Sequence, residues 1–218
     1  MNKVTTIDHA TNLIQDGAVV MIGGFLGGGI PHQLINALVK KNVKNLTLIC
    51  NDTGFPDVGV GQMVCNKQFR KIYASHIGTN KETGRQMMED ETEVVLVPQG
   101  TLAEQIRAGG YGLGGVLTKT GVGTEVEKGK LTINVDGEKY LLEKPLVADI
   151  AIIAAKKADK LGNLVYHGSA QNFNSIMASA AKVTIVEVQE LVEVGELDPD
   201  FIHTPGIFVN YIVTSGGQ

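Results

Sequence analysis

The run Ala18-Val19-Val20-Met21-Ile22 contains no polar residue, so a strand built from it is apolar on both faces and must be covered on both. A parallel sheet with helices packed on either side meets that demand, and a half-solvated antiparallel sheet does not. Leu46 to Cys50, Lys71 to Ser75 and Glu93 to Val97 read as three further strands of the same sheet. Helical stripes separate them. Ile7, Ala10, Leu13 and Ile14 mark a helix over Thr6 to Gln15, closed by Gly17. Pro31 is placed to open a second helix carrying Leu34, Ile35, Leu38 and Val39 on one side. Glu82 to Glu91 and Leu102 to Ala108 predict two more.

Beyond residue 108 the texture changes. Gly109 to Gly123 reads as a glycine-rich loop, and Asp136-Gly137 between Leu131–Val135 and Lys139–Leu142 predicts a two-residue hairpin. Strands resume near Asp149 to Ala154 and Val183 to Val188, with a helix near Phe173 to Ala180 between them. Thr204-Pro205-Gly206 introduces a last strand-like segment, Ile207 to Val213. The expected fold is therefore α/β: an open, mostly parallel sheet with helices on both faces and a small inserted hairpin, forming one domain over residues 1–218.

Composition narrows the function classes. With 43% apolar and 19% charged residues, a folded core is expected and disorder is not. A net charge of −4 gives no electrostatic reason to expect nucleic acid. No apolar run approaches the roughly 20 residues of a membrane span. The segment Met1 to Asp8 lacks the plan of a signal peptide. Cys50 and Cys65 have the wrong spacing for a metal knuckle or a redox pair. The expectation is a cytoplasmic protein with no metal site.

In an open parallel sheet, ligands gather beyond the carboxyl ends of the strands. Four loops should meet there: Gly23-Gly24-Phe25-Leu26-Gly27-Gly28-Gly29-Ile30-Pro31, Asn51-Asp52-Thr53-Gly54, His76-Ile77-Gly78-Thr79-Asn80 and Pro98-Gln99-Gly100-Thr101. The first suits a phosphate or a carbonyl oxygen, because glycines admit close backbone approach and N–H groups at a helix start favour negative charge. It lacks the Gly-Lys-Ser/Thr of a P-loop, and a bare strand-to-helix turn is the competing reading. Gly110-Tyr111-Gly112-Leu113-Gly114-Gly115 fits the dinucleotide spacing but follows a predicted helix rather than a strand, which argues against NAD. Asn51 and Gln99 are amides that can donate to an oxyanion without titrating, or simply cap turns. His76 is a neighbour of this region. His32 and His167 show no partner at motif spacing. No G-x-S-x-G elbow or paired-histidine zinc motif occurs. Glu187, Glu190, Glu193 and Glu196 read as a solvated charged face.

The stretch Asp16-Gly17, then Ala18 to Ile22, then Gly23-Gly24-Phe25, three residues, and Gly29-Ile30-Pro31 resembles the signature of the α subunits of family I CoA-transferases. The resemblance continues through Ser75 to Asn80, Val97 to Glu104 and Gly112 to Thr118. It is nearest in look to subunits acting on acetate, butyrate and acetoacetate. It implies an open α/β fold, a β-subunit partner in an α2β2 heteromer, and a ping-pong reaction through a glutamyl-CoA thioester. The family's nucleophile sits in a Glu-Asn-Gly context on the β chain, and no Glu-Asn-Gly occurs here. No permanently bound cofactor is implied; coenzyme A is substrate and covalent intermediate on the partner. Carried over by position, Gly23, Gly24, Phe25, Leu26, Gly27, Gly28 and Gly29 would bind CoA. Asn51, with the backbone N–H of Asp52, would polarise the acyl oxygen, and Gln99 would orient the carboxylate. Competing readings are a succinate- or 3-oxoadipate-preferring 3-oxoacid transferase, a hydrolase releasing CoA to water, and a non-catalytic module binding CoA or a sugar phosphate.

Overall fold

The computed structural model describes residues 3–216. In chain order the elements are α1 (Ile7–Asn12), β1 (Val19–Ile22), α2 (His32–Lys41), β2 (Leu46–Ile49), α3 (Val60–Cys65), β3 (Phe69–Ala74), α4 (Lys81–Met88), β4 (Glu93–Leu96) and α5 (Gln99–Gly110). There follow β5 (Val116–Thr118), β6 (Thr132–Val135), β7 (Glu138–Glu143), β8 (Ala148–Asp159), β9 (Leu164–Val165), α6 (Asn174–Met177), β10 (Ala181–Val192) and β11 (Tyr211–Thr214). The main sheet runs β11-β10-β8-β1-β2-β3-β4, parallel throughout, with β9 added antiparallel on β8. The chain builds outward from β1 to β4, then returns to lay β8 on the opposite side of β1. That reversal is the topological switch point at which open α/β sheets bind ligands.

Alternation along β1 explains its unbroken hydrophobicity. Val20 and Ile22 join a core with Ala10 and Ile14 near α1, Leu34, Ile35 and Leu38 of α2, and Met63 and Val64 of α3. Met21 points the other way, into a core with Leu102 and Ile106 of α5 and Met177 of α6. Each of these side chains is essentially inaccessible, which contributes about 1.5–3 kcal/mol for a fully buried aliphatic chain. No helix among the described residues is long and apolar enough to cross a membrane.

The hairpin forms where Asp136-Gly137 predicts it, between β6 and β7, with φ of +51° and +82° at the two turn residues. Positive φ at both is the primed turn that matches strand twist. The Gly109–Gly123 loop is corrected in part: α5 runs on to Gly110, and Val116 to Thr118 pair with β7, making a three-stranded antiparallel sheet. Pro98-Gln99-Gly100-Thr101 is likewise no loop, because Gln99 is already the first residue of α5. The Ile207–Val213 segment divides into a 3-10 turn over Gly206–Phe208 and then β11.

Two strands outrun their sequence signal. The outer halves of β8 and β10 extend beyond the apolar stretch and carry a polar ladder, with Lys156 on Gln189 and Lys157 on Glu190, continued just past the strand ends by Lys160 on Glu193. Glu190, Glu193 and Glu196 are exposed, as a solvated face requires, but Glu187 is not: it is 5% exposed and faces the switch point.

Candidate functional site

At the carboxyl ends of β1 to β4 the expected loops meet around a hollow of about 350 Å³, lined by Phe25, Leu26, Asn51, Asp52, Ser75, His76 and Gln99. The glycine loop supplies one wall. Gly23 continues β1 by donating its N–H to Ile152 O of β8 (2.9 Å). Phe25 and Gly28 then pair through two backbone hydrogen bonds, so that Leu26 and Gly27 form a tight turn with φ of +42° and +98°. A left-handed leucine is unfavourable by about 1–2 kcal/mol and needs outside support. Asp52 gives it, accepting the Leu26 N–H at 3.1 Å.

Asp52 is 6% exposed and accepts two further hydrogen bonds, from Asn51 Nδ2 (2.9 Å) and from the Gly54 N–H (2.9 Å). Asn51, 1% exposed, accepts on its side-chain oxygen from Gln99 Nε2 (2.7 Å) and Ser75 Oγ (3.1 Å). Ser75 Oγ also donates to the Asn51 main-chain oxygen at 2.8 Å. A single polar chain thus links the glycine-loop tip, β2, β3 and the first turn of α5. Gln99 is its exposed end, and Asn51 is its buried middle, with its amide already engaged on both sides. Among the described residues, the Asp52 N–H has no hydrogen-bond partner.

Beneath this layer Cys50 is buried, and burial together with the Asp52 charge pushes its thiol up, away from nucleophilic character. His76 is exposed at the rim, its ring lying over Gly78. His32 and His167 lie elsewhere. They line a second hollow of about 400 Å³ on the far side of the glycine loop, at the switch point, with Gly27, Gly29, Gln33, Lys156 and Glu187. The loop therefore divides two depressions and presents residues to both.

Asn174 of α6 holds the loop against β8. Fully buried, it accepts the Ala154 N–H (3.0 Å) and donates to Gly29 O (2.9 Å) and Ala170 O (2.8 Å). Its Oδ1 lies 1.8 Å from where a Cβ on residue 23 would stand, so only glycine fits there. Sequence reasoning missed Asn174, since nothing local marks an asparagine whose partner lies 145 residues away. It also saw only the backbone of Asp52, although Asp52 is the hub of the network.

Glu187 makes a testable contribution of its own. Its carboxylate accepts the N–H groups of Gln33 (2.9 Å) and Leu34 (3.0 Å) in the uncapped first turn of α2. Burial pushes its carboxyl above the ordinary range, against the pull of those N–H groups and of His32. A raised folded-state value means that the native form loses stability as pH climbs from the ordinary glutamate value through the raised one. Glu187→Gln does not titrate. Urea unfolding at several pH values should show the variant gaining on the native protein through that window and levelling off above it. A pH-independent difference would sink this account.

The comparisons with known proteins fit this geometry. The family model described as "Coenzyme A transferase" matches residues 4–215. The chain belongs to the CoA-transferase family. Its members use coenzyme A as a substrate, and the chain is a transferase of that class. It is 56% identical to the acetate CoA-transferase subunit alpha of Escherichia coli K12, over 98% of this chain and 97% of that one. It is 50% identical to the acetoacetyl-CoA:acetate/butyrate CoA transferase alpha subunit of Clostridium acetobutylicum, over 97% of each. An acyl-CoA transferase of E. coli O157:H7, solved as a thioester complex with CoA, superposes with a TM-score of 0.89 at 22% identity. The match covers all of this chain and 48% of that one, so the transferase described here spans about half of that relative and shares its fold.

Proposed function

We propose that this chain is the α subunit of a short-chain acyl-CoA:carboxylate CoA-transferase for acetate, butyrate and acetoacetate. It acts as one domain over residues 1–218 and depends on a β subunit, in an α2β2 complex, for the nucleophilic glutamate. The observation that carries this reading is the state of the only carboxylate lining the 350 Å³ hollow among the described residues. Asp52 is buried and accepts three hydrogen bonds, so it offers no free oxygen to attack a thioester. The hollow supplies donors, glycine backbone and apolar walls, and lacks the group that the chemistry needs.

Within that division of labour, Gly23, Gly24, Phe25, Leu26, Gly27, Gly28 and Gly29 line the path of CoA. Gln99 and the Asn51–Asp52 corner face the reacting acyl group. Covalent catalysis splits the exchange into two thioester–anhydride interconversions, and fixed N–H donors stabilise the charge that develops on the acyl oxygen. The high identity to the acetate and acetate/butyrate subunits supports the choice of acids.

Intact mass of the natively purified complex, after brief incubation with acetoacetyl-CoA, tests the proposal. A co-purified second chain should gain one CoA while this chain gains none, and acetate or butyrate should discharge it. An adduct on this chain would overturn the nucleophile assignment. Discharge by succinate in preference to all three acids would overturn the substrate assignment.

A further inference from the structure

The amide polarity of the site has one source. Asn51 touches three polar side chains, and two of them are indifferent to which way its amide faces. Ser75 has one hydroxyl hydrogen, which it shares between the main-chain and side-chain oxygens of Asn51, and its lone pairs would accept from an NH₂ in the same place; Gln99 is itself an amide that can turn over. Only Asp52 discriminates. Its carboxylate also accepts the N–H groups of Leu26 and Gly54, so it is an acceptor toward every neighbour. The Asn51 atom 2.9 Å from it must be the NH₂. The atom facing Gln99 is then the Asn51 oxygen, and the Gln99 atom 2.7 Å from that oxygen must be nitrogen. Gln99 is left with one N–H and its carbonyl oxygen for the hollow.

We propose that Asp52 is a positioning residue that, through Asn51, fixes the direction of the Gln99 amide and so determines which edge of that amide meets the acyl group. This rests on the α-subunit reading above but goes beyond it, because Asp52 needs no contact with substrate. An asparagine at 52 keeps the shape and removes the discrimination, since either rotamer leaves one backbone N–H without an acceptor. With its oxygen on Gly54, its NH₂ faces the Leu26 N–H and Asn51, Asn51 turns over, and Gln99 offers its edges in the opposite sense. With its oxygen on Leu26 and Asn51, it is Gly54 that loses its acceptor.

The test is a double-mutant cycle in the assembled two-subunit enzyme, with D52N, Q99A and the pair, read as kcat and KM for the carboxylate alongside thermal midpoints. Asp52→Asn is expected to lower kcat by about tenfold to 100-fold with KM little changed, since a misdirected donor loses transition-state contact. In the Gln99→Ala background the same change should have almost no further effect on kcat, because residues acting as one unit are not additive. A multiplicative double mutant, or D52N kinetics equal to the native enzyme, would overturn the proposal. If D52N fails to assemble, Asn51→Leu carries the same cycle. It keeps the branched shape and has no amide to relay, so it should lower kcat as D52N is expected to and add almost nothing in the Gln99→Ala background, and a multiplicative pair would again overturn the proposal. An inactive native complex would count against the α-subunit reading itself, which separates the two failures.

Discussion

Gln99→Ala is expected to lower kcat by about 100-fold or more while the subunits still assemble. Gln99 is exposed at the start of α5, and its single side-chain hydrogen bond runs to Asn51. Truncation leaves Asn51 Oδ1 with its Ser75 partner, so no buried group is orphaned. Stability should move by no more than about 0.5 kcal/mol, as for surface substitutions generally. On the proposed role, the variant loses a donor aimed at a developing charge in a hollow whose apolar walls are Phe25 and Leu26. Steady-state turnover with two acceptor acids, beside gel filtration of the complex, makes the comparison. Undiminished kcat would remove Gln99 from the chemistry, and a dissociated complex would reassign it to assembly.

Asn174→Ala should destabilise the protein by about 3 kcal/mol, a fall in melting temperature of roughly 6–12 °C for a chain of this size. Three hydrogen bonds vanish at a fully buried position, and the Ala154 N–H, Gly29 O and Ala170 O lose that partner together. The glycine loop then loses its tether to β8, and CoA binding should weaken even where the fold survives. Gly23→Ala sharpens the point. Alone it drives a methyl to within 1.8 Å of Asn174 Oδ1, whereas in the Asn174→Ala background that atom is gone. Calorimetry should find the second substitution far less damaging in the double variant. Equal penalties in both backgrounds would mean that the two residues do not share this contact.

What could be read from the chain alone follows from the range of each interaction. The strands β1 to β4 were legible because covering a sheet on both faces leaves its mark within five residues, as in Ala18 to Ile22. The β6–β7 turn was legible because only residues such as Asp136 and Gly137 tolerate its two positive φ values. The meeting of Asn51, His76 and Gln99 followed from parallel strands ending on one edge. The outer halves of β8 and β10 were hidden because a ladder of lysine and glutamate looks like any exposed surface. Six-residue α3 was hidden by its brevity. Glu187 was misread because its neighbours Glu190 and Glu193 are solvated, and its burial depends on a helix start 154 residues earlier in the chain. Asp52 was undervalued because one of the groups it accepts from is the Leu26 N–H, 26 residues earlier, and no local pattern marks that contact.

The return of the chain to β1 also sets a clock for biosynthesis. Val19 hydrogen-bonds Asp149 across 130 residues, so the central strand waits for its second neighbour until two-thirds of the polypeptide has been made. At about 5–20 residues per second that interval is on the order of ten seconds. For its duration a strand destined to be wholly interior shows one unpaired edge to the ribosome's surroundings, the kind of edge to which foreign strands attach. The nascent N-terminal half is therefore the vulnerable species, and β8 is the element whose arrival ends the exposure.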